Sequence, residues 1–317
     1  MTRTHYPIGT PGQPWGAAEK AQWLAAQNKK RSYQDEVVAP LRAYLSHNPA
    51  LAQAAEQLEY GQLDYSDRGL GKYPLFAVRS RNWQAGLPVV LVTGGVHGYE
   101  TSGVQGALQF IAEHFTRYSG ELNLLVLPCI SPWAYETINR WNPDAIDPNR
   151  FFVAASPSQE AAAAMRFVKD QPGNIIVHID LHETTDSDND EFGPAKAARD
   201  GIAPEWNETP DGFYLCGDAQ RPEPDFQRAL IEAVSQVTHI APADDKGCII
   251  GSPVHQEGVI YYEQKALGLC GGMTDAEFTS TTEVYPDSPK ISPTQCNLAQ
   301  VTTICAAIDY VRGCLAG

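Results

Sequence analysis

The 317-residue chain has no run of eighteen apolar residues, which excludes a membrane-spanning helix. Its first fifteen residues are polar, with Pro and Gly, and lack the apolar core of a signal peptide. None of its seven cysteines forms a CxxC pair, and their scattered, odd-numbered arrangement does not suit a disulfide framework. These absences set the expectation of a reduced, cytoplasmic protein. Basic residues are also scarce: 23 Lys and Arg stand against 38 Asp and Glu, a net charge of −15. Such a surface repels nucleic acid and anionic lipid, so neither is an expected partner. Apolar residues make up 43 % of the chain, enough for a large core.

Alternation of short apolar runs with helical patterns carries the fold. Residues 15–28 and 34–58 are Ala-rich with helical spacing, and 50–58 continue that pattern. Short strands are expected at 63–65 and 73–79, the second pairing with 88–93 across the turn at 82–86. Strand 88–93, helix 100–116, strand 122–128, a long loop over 129–155, helix 158–169 and strand 174–181 follow in order. Residues 183–210 show no period and read as a surface loop, of the length that often serves function. Strand 212–215, helix 224–237, strands 258–262 and 277–283, and a terminal helix over 296–315 complete the pattern. The expected fold is α/β, a single domain spanning 1–317. A mixed, mostly parallel central sheet carries helices on both faces, with an N-terminal helical extension over about 1–58.

The most informative segment is Gly94-Gly95-Val96-His97-Gly98-Tyr99-Glu100. It joins a buried strand to a helix, the place where ligands gather in open α/β sheets. An imidazole and a carboxylate there are two of the three protein ligands of a hydrolytic zinc. A third is sought in Asn174-Ile-Ile-Val-His178-Ile-Asp-Leu-His182, where His182 closes the apolar run and His178 lies deeper on the same face. His178 reads as a hydrogen-bonded core histidine. The loop after strand 122–128 holds Arg140, Asp147, Asn149 and Arg150; an arginine fork grips a carboxylate or a carbonyl oxygen. Asp147 is placed to hold the outer nitrogen of a metal-bound histidine. Glu283 ends the β-branched run 278–283, where a carboxylate is costly to bury without a role.

These segments, in this order, resemble the zinc carboxypeptidases of the carboxypeptidase A type, over roughly residues 88–285. The wider clan includes the aspartoacylase and succinylglutamate desuccinylase deacylases. The resemblance implies one zinc ion per chain on His97, Glu100 and His182, with Glu283 as catalytic glutamate and Arg140 as the oxyanion arginine. Asn149 and Arg150 would take a substrate's free carboxylate, with Asp147 behind them. The family's mobile substrate-binding tyrosine falls on Tyr261 or Tyr262, with Tyr262 favoured. The implied activity is a metallocarboxypeptidase acting on a peptide; an N-acyl amino acid deacylase is the alternative. A non-catalytic peptide-binding relative ranks below both, because every position is filled. The interval from His182 to Glu283 is longer than in digestive carboxypeptidases, owing to the acidic stretch after Glu183.

Overall fold

The computed structural model describes residues 6–316. Helix α1 (Ala17–Ala25) and a π-type turn (Gln34–Val38) lead into α2 (Ala39–His47) and α3 (Pro49–Ala54). The strands and helices of the body then follow as β1 (Ala55–Asp64), β2 (Lys72–Ser80), β3 (Val89–Gly94), α4 (Thr101–Glu113), α5 (Phe115–Tyr118), β4 (Asn123–Leu127), α6 (Pro132–Thr137), α7 (Gln159–Lys169) and β5 (Ile175–Glu183). After a second π-type turn (Asp188–Phe192) come α8 (Gly193–Asp200), β6 (Tyr214–Asp218), α9 (Pro224–Val234), β7 (Cys248–Ile249), β8 (Ser252–Pro253), β9 (Val259–Tyr262), β10 (Phe278–Val284) and α10 (Pro293–Ala316).

Eight strands form one sheet in the order β1-β2-β4-β3-β5-β10-β6-β9. The central pairs β4–β3, β3–β5 and β5–β10 are parallel, as is β6–β9, while the remaining three pairs are antiparallel. Strands β3 and β4 are buried along their whole length, which explains their uninterrupted Val and Leu runs. Helices α4, α9 and α10 cover one face, and α10 packs along both α4 and α9. On the other face Ala161, Ala164 and Val168 of α7 meet Leu91, Leu125 and Leu127. The expected single-domain α/β sheet with helices on both faces is therefore present. No helix among the described residues is long and apolar enough to cross a membrane.

Four expectations are corrected. The helical pattern of 50–58 stops at Ala54, because Ala55 begins ten residues of strand paired with β2. Strand β2 does not pair with β3 but with β1 and β4. Strand β3, buried on both faces, takes two parallel neighbours, and the antiparallel strand is displaced one place outward. Finally, the aperiodic stretch 183–210 contains α8, started by Pro194 near its N-terminus and stopped by Gly201 in the left-handed region at φ 69°. The loop at 129–155 likewise holds α6 and a 3₁₀ turn at Pro148–Arg150.

Candidate metal centre and cleft

Parallel pairing of β3, β5 and β10 brings their C-terminal ends to one edge, and the polar residues gather there. Period-two alternation sends Val177, Ile179 and Leu181 of β5 into the core and His178, Asp180 and His182 to the opposite face. Strand β10 lies in register beside it, with Thr279 next to His178, Thr281 next to Asp180 and Glu283 next to His182. The turn after β3 supplies His97 and Glu100. Its tight path needs glycine twice: Gly95 has φ 61°, and a Cβ on Gly98 would stand 1.9 Å from the Ala134 carbonyl carbon.

Glu100 stands between the two histidines. Its Oε1 is 2.7 Å from His97 Nδ1 and its Oε2 is 2.8 Å from His182 Nδ1. All three side chains are buried, and their ligand atoms lie within 4.8 Å of one another. The contact of Oε2 with His182 is short but misaligned, so this buried oxygen has no hydrogen-bond partner. Two imidazole nitrogens and a carboxylate with an unsatisfied lone pair, converging in a buried chamber, are the donor set that zinc takes. Outside the cluster, His97 Nε2 contacts Asp147 Oδ1 at 2.9 Å, and His182 Nε2 contacts Asp180 Oδ2 at 2.8 Å. Each carboxylate fixes its ring and directs Nδ1 inward.

Electrostatics follow from this packing. Burial opposes the charge on Glu100, but His182 and His97 outweigh it and hold the carboxyl at about 2. Burial also opposes the charge on His182, and there Glu100 and Asp180 prevail, raising it well above the usual histidine range. Glu283 differs: burial pushes its carboxyl up to about 8, with Glu100 adding to the rise and His182 opposing it. Thr184 Oγ1 donates to Glu283 Oε2 at 2.8 Å.

The cluster opens into a cleft of about 430 Å³ walled by His97, Glu100, His182, Glu283, Arg140, Asn149, Arg150 and Tyr262, among others. Arg140 donates through Nε to Asp147 Oδ2 at 3.1 Å and through Nη1 to Tyr99 Oη at 2.9 Å and Asp188 Oδ1 at 3.1 Å. Asn149 Oδ1 accepts from the Cys270 amide at 2.7 Å, which turns its Nδ2 donors away from that bond. Arg150 Nη1 donates to the Asn149 carbonyl at 2.6 Å. Tyr262 lines the cleft and accepts from Ser252 Oγ at 3.2 Å; Tyr261 instead packs edge-on against His255.

Of the residues singled out in the sequence, all line one cleft except Asp147, which backs His97 and Arg140, and His178 and Tyr261. His178 sits below, contacting Thr93 Oγ1 at 3.0 Å, and burial lowers its pKa to about 4. That is the core histidine its position suggested. Sequence reasoning missed Asp180, although the alternation that aligns His178 with His182 also aligns the residue between them. It also missed Asp188, which lies in the stretch 183–210.

No family model and no curated protein matches this chain. Solved structures do match. A candidate metallopeptidase of Shewanella amazonensis superposes with a TM-score of 0.60 at 18 % identity, over 86 % of this chain and 92 % of that one. A metallo-carboxypeptidase of Burkholderia cenocepacia gives 0.56 at 17 %, over 86 % and 68 %. This is the zinc-carboxypeptidase fold. Another of its members, the metallo-carboxypeptidase of Pseudomonas aeruginosa in complex with (2-guanidinoethylmercapto)succinic acid, gives 0.55 at 15 % identity, over 86 % and 68 %. At such identities the carboxypeptidase-like likeness establishes the fold, and the chemistry rests on the side chains described above.

Proposed function

We propose that the chain is a zinc-dependent amide hydrolase that removes a C-terminal residue from a peptide. The observation that carries this is the placement of Glu283, half-buried and pushed up to about 8, one strand away from the His97–Glu100–His182 cluster. His97, Glu100 and His182 would hold the ion through two Nδ1 atoms and a carboxylate. Zinc held there would supply Lewis acidity, polarising a carbonyl and acidifying a water molecule.

The protein's own groups do the rest. Glu283 accepts a proton from the attacking water and returns it to the leaving amine, and a pKa near neutrality serves both transfers. Arg140, held by Asp147 and Asp188, faces the charge that develops on the carbonyl oxygen. Arg150 and the Nδ2 of Asn149 bind the free carboxylate of the substrate, which makes the cut an exo-cleavage. Tyr262 closes the same wall. The ligand of the Pseudomonas aeruginosa relative carries a succinic acid group, in keeping with a carboxylate clamp.

Glu283→Gln is the direct test. The variant is expected to bind zinc at wild-type stoichiometry while hydrolysis falls by about 10²–10⁴-fold; full activity would overturn the mechanism. A panel of peptides and N-acyl amino acids distinguishes peptidase from deacylase.

A further inference from the structure

The residues that hold the metal turn from outside come from the N-terminal segment. Lys30 and Arg31 donate their amides to the Glu136 carbonyl at 2.7 and 3.2 Å, and the Tyr33 amide donates to Glu136 Oε1 at 3.1 Å. This ties the segment to α6. Arg31 then reaches over α6 to the turn. Its Nε donates to the Tyr135 carbonyl at 2.7 Å, its Nη1 to Thr101 Oγ1 at 2.8 Å and its Nη2 to the Gly98 carbonyl. The guanidinium carbon lies over the Tyr135 ring, 3.5 Å from its centroid. The ring is itself fixed, because Gln105 Nε2 donates to its hydroxyl and the hydroxyl donates to Glu36, both at 2.9 Å.

Gly98 sits between the two ligands of the turn, and Thr101 follows the second. From the other side the Gly98 and Tyr99 amides both donate to the Asn139 carbonyl, at 2.9 and 3.2 Å. Ser131 holds the start of the turn, its amide donating to the Gly95 carbonyl at 2.9 Å and its hydroxyl to the Val96 carbonyl at 2.7 Å; between the two ligands the backbone is held by Asn139 on one side and Arg31 on the other. We propose that Arg31 is a positioning residue that preorganises His97 and Glu100 to receive a metal. A planar fork with separate donors is required to reach three acceptors on α6, the turn and α4, and a lysine ammonium cannot reproduce it. The N-terminal extension is then a working part of the metal centre. This inference rests on the proposal that the cluster holds zinc.

The test is zinc affinity by competition with a chelator, with the visible spectrum of the Co²⁺-substituted protein as a second readout. Arg31→Met is expected to weaken zinc by about 10–100-fold, the range for outer partners of a metal ligand, and to alter the cobalt spectrum. Lys29→Met is the control, since Lys29 pairs with Glu136 and touches no part of the turn; its affinity is expected to stay at the wild-type value. Should Arg31→Met not fold, Arg31→Lys carries the same test, with about a tenfold loss expected. Wild-type affinity and an unchanged spectrum in the Arg31 variants would overturn the role of Arg31 alone. A wild-type protein that binds no zinc would overturn the metal centre itself, and this inference with it.

Discussion

Asp180 and Asp147 do for His182 and His97 what no ligand can do for itself: they fix which nitrogen faces inward. Asp180 is itself fixed, since Thr93 Oγ1 donates to its Oδ1 at 2.6 Å and also contacts His178. Asp180→Asn exchanges an acceptor for a weaker one that also carries donors, and frees the His182 ring to turn. The expected outcome is a 10–100-fold weaker zinc complex, of the order seen for such partners, measured by chelator competition. An unchanged constant would show that backbone packing alone orients His182. At this scale the sequence was informative wherever a residue's chemistry is rare in its setting. A histidine closing an apolar run, or a glutamate ending a β-branched strand, stands out. An aspartate in the middle of the strand does not, because its function appears only when the face it shares with His182 is set against Thr93.

Among the elements, the site depends on where strands end and how closely the turn after β3 meets α6. A methyl group on Gly98 would overlap the Ala134–Tyr135 peptide, which is backbone and cannot step aside. Gly98→Ala is therefore expected to destabilise the protein by about 1–3 kcal/mol and to displace both ligands of the turn. Urea denaturation and zinc titration on the same samples check both outcomes, and normal zinc affinity would show that the turn relaxes freely. The end of β5 also serves α4, since Glu183, on the cleft wall, accepts from the Thr101 and Ser102 amides at 3.0 and 2.8 Å. Elements with a strong period were legible in the chain: β3, β4, α7 and α10 lie close to their expected places. Those whose order comes from distant partners were not. Helix α8 is held by the Trp15 amide on the Arg199 carbonyl at 2.8 Å and by Arg199 on the Ala145 carbonyl at 2.9 Å. The exchange of neighbours between β2 and β4 is likewise a property of the whole sheet, invisible in a local pattern.

For the molecule as a whole, the buried acids of the site link stability to pH and to metal. Burial pushes Glu283 up to about 8 and Glu183 up to about 7, above their unfolded value of 4.5. The folded chain therefore binds protons that the unfolded chain releases, and their contribution is fully present below pH ~4.5 and lost as pH rises through 7 to 8. Glu100, held at about 2, acts in the opposite sense and weakens the fold only in strong acid. Metal-free protein is expected to unfold at lower urea concentration at pH 8.5 than at pH 5.5, and Glu283→Gln is expected to reduce that difference. A pH-independent midpoint between these values would contradict the assignment of buried, protonated acids. Adding zinc is expected to restore stability at pH 8.5, by about 2.7 kcal/mol at a hundredfold excess over its dissociation constant.

Asp147 has two oxygens and uses one on each half of the site: Oδ1 on His97, Oδ2 on Arg140. The histidine proposed to hold the metal and the arginine proposed to meet the substrate are therefore separated by the width of a single carboxylate. A displacement of either is transmitted to the other through one rigid group. Under the proposed function, the cleft would present a substrate with a fixed gauge, set by the bond angle of one aspartate.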